Sequence, residues 1–184
     1  LCSLECPKCM RVKWADKRKI PGQNMTVEQF RKIVNYFRYI HFCGQISDPI
    51  FNPNLITFLS MCKDANKGST VHTAASQRPI SWYKEAFDTN PDTRWIFGLD
   101  GLPEESCMYR VNQDGEKLFE VMKIGAKKGL QIDWQYIVFS YNEDHVEEAY
   151  NMAKDNGIQF IVNYSGRWTS EKDPYKPRNP KFST

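Results

Sequence analysis

The chain has 184 residues, enough for one domain with a substantial core and too few for two ordinary ones. Its formal charge of +3, from 25 Lys and Arg against 22 Asp and Glu, gives no nucleic-acid footprint, and no apolar run approaches the roughly 20 residues that span a bilayer. A soluble protein is predicted, and six cysteines, only three of them clustered, fit a reducing compartment such as the cytoplasm better than a disulfide framework.

The predicted elements alternate. Thr26 with Gln29 forms a capping box ahead of Val27, Phe30, Val34 and Phe37, which share one face and predict a helix over 27–37. Tyr39 to Cys43 reads as a short buried strand. Asn54 caps a second helix with Leu55, Phe58, Leu59 and Cys62 inward, and Gly68 punctuates before a strand over 70–73. Ser81 opens a third helix carrying Trp82, Tyr83 and Phe87, and Trp95 to Leu99 is the next strand. A helix over 115–128 closed by Gly129 leads to a strand over 132–139. Asn142 caps the helix carrying Val146, Ala149, Tyr150 and Ala153, with Glu143 and Asp144 at its positive end; Gly157 closes it before the last strand, 158–163.

Strands alternating with helices predict an α/β domain of parallel βαβ units over 1–164. Residues 165–184, rich in Lys, Pro, Ser and Asn and without periodicity, read as a tail or linker. The basic stretches Arg11 to Lys19 and Lys172 to Lys181 read as solvated loops.

Chemistry concentrates at the start of the chain, where Cys2, Cys6 and Cys9 stand in Cys-Ser-Leu-Glu-Cys-Pro-Lys-Cys. Three thiolates on one loop can hold three irons of a cubic cluster and leave the fourth open. Two other readings compete. Cys6 and Cys9 could be half of a zinc knuckle, although no second Cys or His pair follows at comparable spacing; or the three could be disulfide partners. Cys43, Cys62 and Cys107 are isolated and read as buried small hydrophobes. In parallel sheets ligands gather at the carboxyl ends of the strands. Unusual polar residues fall there repeatedly: Gly44 to Pro49, Thr73 to Ser76, Asp100-Gly101 with Tyr109-Arg110, Ser140 to Asn142, and Asn163 to Ser165.

The Cys-x3-Cys-x2-Cys spacing resembles the signature of radical S-adenosylmethionine (radical SAM) enzymes, and the likeness extends over about Cys2 to Trp168. Phe42 to Pro49 followed by Asn52-Pro53 resembles the second-strand motif that receives the methionyl amino group. Thr73 to Ser76 is similar to the third-strand Thr-Asn-Gly-Ser pattern, and Phe97 to Gly101 with Tyr109-Arg110 to the fourth-strand segment and its arginine. Ile137 to Asn142 and the helix after it are similar to the SPASM-type branch, although no cysteine follows Cys107 for that branch's auxiliary-cluster domain.

The resemblance implies a partial (β/α)6 barrel whose first strand, expected before the cysteine loop, has no residues here. It implies a [4Fe-4S] cluster on Cys2, Cys6 and Cys9, and S-adenosyl-L-methionine chelated to the open iron. An external electron donor then drives cleavage to a 5′-deoxyadenosyl radical, which takes hydrogen from a peptide or small-molecule substrate. Asp48, with the backbone of Gly44, Gln45 and Ser47, is assigned to the amino group and Arg110 to the carboxylate. Thr73 and Ser76 are assigned to carboxylate or ribose; Asp100 and Asn142 complete the cofactor set. Arg110 could instead pair with Glu104, Glu105 or Asp114. The pattern is departed from at Ser47 (usually Gly), Asp48 (commonly Glu), Ala74-Ala75 (Asn-Gly) and Lys8, a position often aromatic that packs near adenine. A non-catalytic iron–sulfur or zinc protein that keeps the fold is the alternative.

Overall fold

Apolar residues recurring two apart along five short segments dictate a sheet with one deeply buried face. A computed structural model describes residues 1–13, 22–44 and 46–182; Gln45 and most of the basic stretch after Arg11 lie outside the described residues. The strands are β1 (Tyr39–Phe42), β2 (Gly68–Thr73), β3 (Arg94–Gly98), β4 (Ile132–Ile137) and β5 (Gln159–Asn163), paired in chain order and all parallel. Helices α1 (Met10–Lys13) and α2 (Val27–Val34) precede β1, and α3 (Leu55–Asp64), α4 (Ile80–Thr89), α5 (Gly115–Lys127) and α6 (Val146–Asp155) form the crossovers. This is the α/β architecture of a partial parallel barrel.

The helices cover one face of the sheet. Val71, Trp95, Phe97, Ile132, Trp134 and Tyr136 are buried there with Leu59, Phe87, Leu118, Met122 and Ala149. The Phe87 ring meets Trp95 edge-on at 5.1 Å. Truncating so large a buried aromatic to Ala costs about 3–5 kcal/mol. A second cluster, Phe30, Val34, Ile40, Phe58 and Cys62, seals α2 and α3 over β1.

The opposite face differs. Parallel strands covered on both sides read as continuous apolar runs, yet His41, His72, Arg94, Asp133 and Gln135 alternate with the core residues. Arg94 is ion-paired with the wholly buried Asp133 on this face.

Element ends show where packing overrides pattern. The Thr26–Gln29 capping box forms in both directions, but α2 stops at Val34 rather than Phe37, and Tyr36 beyond it is 85% exposed, with no core to enter. β4 stops at Ile137 because Asn142 turns the chain: its Oδ1 accepts from Phe139 N at 2.7 Å and its Nδ2 donates to Ile137 O at 3.0 Å. The cap of α6 falls to His145.

Residues 165–182 contain no helix or strand but are packed, in contrast to the tail expected there. Phe182 joins the main core, Tyr175 O accepts from Ser140 N at 3.1 Å, and Glu143 Oε2 accepts from Arg178 N and Asn179 N, each at 2.9 Å. No helix among the described residues is long and apolar enough to cross a membrane.

Candidate functional site

The carboxyl ends of the strands open onto a cavity of about 640 Å³. Cys2, Cys6 and Cys9 line it from one side; Gly44, Ser47, Asp48, Thr73 and Arg110 line it from the strand ends. Distant partners hold the short cysteine loop. Leu1 O accepts from Asp48 N at 2.8 Å, Ser3 O from Asn112 Nδ2 at 3.2 Å, and Glu5 N donates to Val111 O at 3.0 Å. Arg11 donates to Leu4 O, and Lys8 Nζ reaches Asp173 Oδ2 at 2.5 Å. Asp173 also accepts from Thr169 N, Thr169 Oγ1 and Tyr175 N, so the segment after β5 is strapped to Lys8, between Cys6 and Cys9.

Burial raises the Cys2 thiol and pushes Cys6 up to about 11, while the nearby Arg110 charge pulls Cys6 down. Such thiols stay protonated at neutral pH unless a metal takes the proton's place. Among the described residues no three His, Cys, Asp or Glu side chains converge on one ion. A cubic cluster does not require such convergence, since each thiolate binds its own iron. Three soft donors on one loop, lining one cavity, fit that group.

Two strand ends are tied by Asp48. It ends the turn after β1, and its carboxylate accepts from Thr73 Oγ1 (2.8 Å), Ile50 N (3.2 Å), Ala74 N (3.0 Å) and Ala75 N (3.1 Å). Four donors saturate a carboxylate. Burial raises its pKa and these donors oppose the rise. The turn itself demands glycine at its start: a Cβ on Gly44 would stand 2.1 Å from Ser47 O.

Arg110 is set by β3. Asp100, 0% exposed just past that strand, receives Ile137 N on Oδ1 at 2.9 Å and pairs through Oδ2 with Arg110 Nε at 2.7 Å. The Nε–H is not directed at that oxygen, so the contact is an ion pair rather than a hydrogen bond. Burial works against the guanidinium charge and Asp100 outweighs it, so the Arg110 pKa is raised. The guanidinium lies over Gly98, where a Cβ would come within 2.8 Å of Nη2.

Solved structures with this fold are known. Streptococcus suis SuiB bound to S-adenosylmethionine matches with a TM-score of 0.75 at 14% identity, over 97% of this chain and 41% of SuiB. Native anSMEcpe with bound AdoMet matches at 0.67 and 16% identity, over 100% of this chain and 52% of its own. TYW1 with a lysine–pyruvate adduct matches at 0.62 and 11% identity, over 94% and 64%. This is the radical SAM fold. The chain spans less than two thirds of the length of each of these three structures. No family model matches the sequence, and no curated protein does either.

Within the radical SAM fold the residues singled out from sequence divide into two groups. Cys2, Cys6, Cys9, Gly44, Ser47, Asp48, Thr73 and Arg110 line the cavity. Ser76, Asp100 and Asn142 are buried away from it. Ser76 Oγ accepts from Asp114 N at 2.8 Å at the start of α5, Asp100 holds Arg110, and Asn142 closes β4, so each of the three is engaged with the protein's own loops. Gln45 lies outside the described residues. Arg110 pairs with Asp100 rather than with Glu104, Glu105 or Asp114. Of the isolated cysteines only Cys62 is buried; Cys43, at the strand end, and Cys107, on a surface turn, are exposed.

His72, Gln135, Arg11 and Arg167 also line the cavity and were not singled out. For His72 and Gln135 the signal was present: polar residues at alternate positions inside strands that should be apolar throughout.

Proposed function

We propose that this chain is the core of a radical SAM enzyme, with Cys2, Cys6 and Cys9 holding a 4Fe–4S cluster and S-adenosylmethionine seated on its open iron. The observation that carries the reading is that the three thiols share one cavity with the Gly44–Asp48 turn and Arg110. The bound pair supplies reductive cleavage of the sulfonium carbon–sulfur bond, fed by an external donor, and from it hydrogen-atom abstraction.

The protein's part is seating and electrostatics. Arg110 meets the methionyl carboxylate with its outer nitrogens, preoriented by Asp100. The ammonium group is received by carbonyls of Gly44 and Ser47, which line the cavity beside Asp48. Asp48 acts there by its charge, since its oxygens are occupied; Thr73 holds Asp48 in place. All six cysteines are free, which suits a reducing compartment such as the cytoplasm.

A peptide substrate is favoured over a small molecule. SuiB bound to the precursor peptide SuiA, and anSMEcpe with bound AdoMet and a peptide, share the fold. Anaerobic reconstitution tests the reading. About four irons and four sulfides per chain are expected, with dithionite-dependent formation of 5′-deoxyadenosine; one zinc per chain, or a cluster that never cleaves the cofactor, overturns it.

A further inference from the structure

Arg11 and Arg110 both line the cavity that holds the three cysteines, and they differ in their partners. Arg110 is matched by the buried Asp100. Arg11 is only 8% exposed, yet it forms no ion pair among the described residues. Its Nη2 donates to Leu4 O, and its Nε has no hydrogen-bond partner among the described residues. A solvated loop was expected from the basic stretch that Arg11 begins; this first member of it is buried instead.

Chain geometry explains the burial. Arg11 sits on α1, which begins directly after Cys9. Its side chain reaches back to Leu4, between Cys2 and Cys6, so the guanidinium lies against the loop that carries all three thiols. Burial raises the Cys2 thiol pKa, and the backbone at Leu4 and the Arg11 charge oppose the rise.

A buried charge is ordinarily paired. Asp48, the acidic residue that shares this cavity, is already occupied by Thr73 Oγ1 and by the N–H groups of Ile50, Ala74 and Ala75. The unmatched guanidinium instead shares the cavity with three thiols, and a cube held by three thiolates is an anion overall. Reduction adds one further negative charge to it. A neighbouring cation therefore stabilises the reduced form more than the oxidised one.

We infer that Arg11 is the counter-charge of the iron–sulfur cluster and that it raises the cluster's reduction potential, easing entry of the electron from the external donor. The inference rests on the proposed cluster at Cys2, Cys6 and Cys9. It gives Arg11 a role separate from that of Arg110, whose charge Asp100 already matches.

The test reads a potential rather than turnover. The anaerobically reconstituted chain is titrated with reductant in the absence of S-adenosylmethionine, and the reduced cluster is followed by electron paramagnetic resonance. Arg11→Gln keeps a donor for Leu4 O and loses the charge; Arg11→Lys keeps the charge and loses the planar fork. Arg11→Gln is expected to lower the midpoint by about 59 mV, a tenfold change in the ratio of reduced to oxidised cluster for one electron, and Arg11→Lys by less than half of that. Arg11→Met takes the place of Arg11→Gln should the latter not fold or load. Lys128→Met, which removes a surface charge paired with Asp88, is expected to leave the midpoint unchanged. A midpoint in Arg11→Gln equal to that of the unaltered chain, an equal fall in Lys128→Met, or a larger fall in Arg11→Lys than in Arg11→Gln overturns the inference alone. An unaltered chain that assembles no cluster overturns the proposed function and this inference together.

Discussion

Arg110 Nε lies 2.7 Å from Asp100 Oδ2, while the other oxygen of Asp100 takes a backbone N–H of β4, so one buried carboxylate joins a cavity-lining cation to the neighbouring strand. Removing one member of a buried pair leaves the other uncompensated, at about 3–5 kcal/mol. Asp100→Asn is therefore expected to lower the unfolding free energy by about 3 kcal/mol, read from urea denaturation. Arg110→Lys keeps the charge but loses the fork, and is expected to weaken S-adenosylmethionine binding to the reconstituted protein about tenfold. Gly98→Ala should weaken binding in the same direction by displacing the guanidinium, with little change in the urea midpoint. Unaltered affinity in both Arg110→Lys and Gly98→Ala would remove Arg110 from the cofactor's seat.

Asp48 makes a different prediction, because its partners are all donors. Asp48→Asn turns one acceptor oxygen into an NH2 facing either Thr73 and Ile50 N or the N–H groups of Ala74 and Ala75. A buried donor left unmatched costs about 1–3 kcal/mol. Thermal unfolding should fall by several degrees, and hydrogen exchange at Ala74 and Ala75 should quicken more than exchange in β4.

The strap over the cysteine loop is expected to survive mild acid. Interactions of Asp173 hold its pKa below the ordinary carboxyl value of 3.8, against burial, so its contribution is present above that value and is lost as pH falls through the lowered folded pKa. The Thr169 and Tyr175 amides should stay protected at pH 4 and lose protection only in stronger acid. In Asp173→Ala they should exchange freely at neutral pH. Equal protection in the variant would mean that Asp173 does not hold the strap.

His145 answers to pH on the alkaline side. Its Nδ1 stands 2.7 Å from Glu105 Oε1, and that contact raises its pKa above 6.5 despite slight burial. A raised folded pKa gives stability that is complete below the unfolded value and lost as pH rises through the folded one. Ring signals of His145 should titrate above 6.5 in the native chain and return to about that value in Glu105→Gln. No movement between the two would show the pair to be unimportant in solution.

Much of the sheet was legible because burial on a parallel strand leaves a strong apolar signal; Val71, Trp95, Phe97 and Trp134 mark it plainly. The rim was legible to a lesser depth. A polar residue after a strand is placed at the right end of the sheet by topology alone, but whether it turns toward the cavity depends on which donor packs against it. Ser76 meets Asp114 N and Asn142 meets Phe139 N, both set by chain turns that no periodicity encodes. Segment 165–182 was unreadable for a related reason. Its order comes from single contacts such as Asp173 with Lys8 and Phe182 with the core, rather than from a repeating pattern.

The anchors of the cysteine loop carry a consequence for the order of events in folding. Asn112 stands 109 residues from Ser3, and Asp173 stands 165 from Lys8. Contacts of such separation close late, because long loops must first be ordered by the elements between them. The three thiols are therefore brought into their shared cavity only after β2 to β5 have docked, so a cluster of the kind proposed would be loaded onto a nearly finished fold. A chain stalled in folding presents three separate thiols and no seat for a reactive cluster.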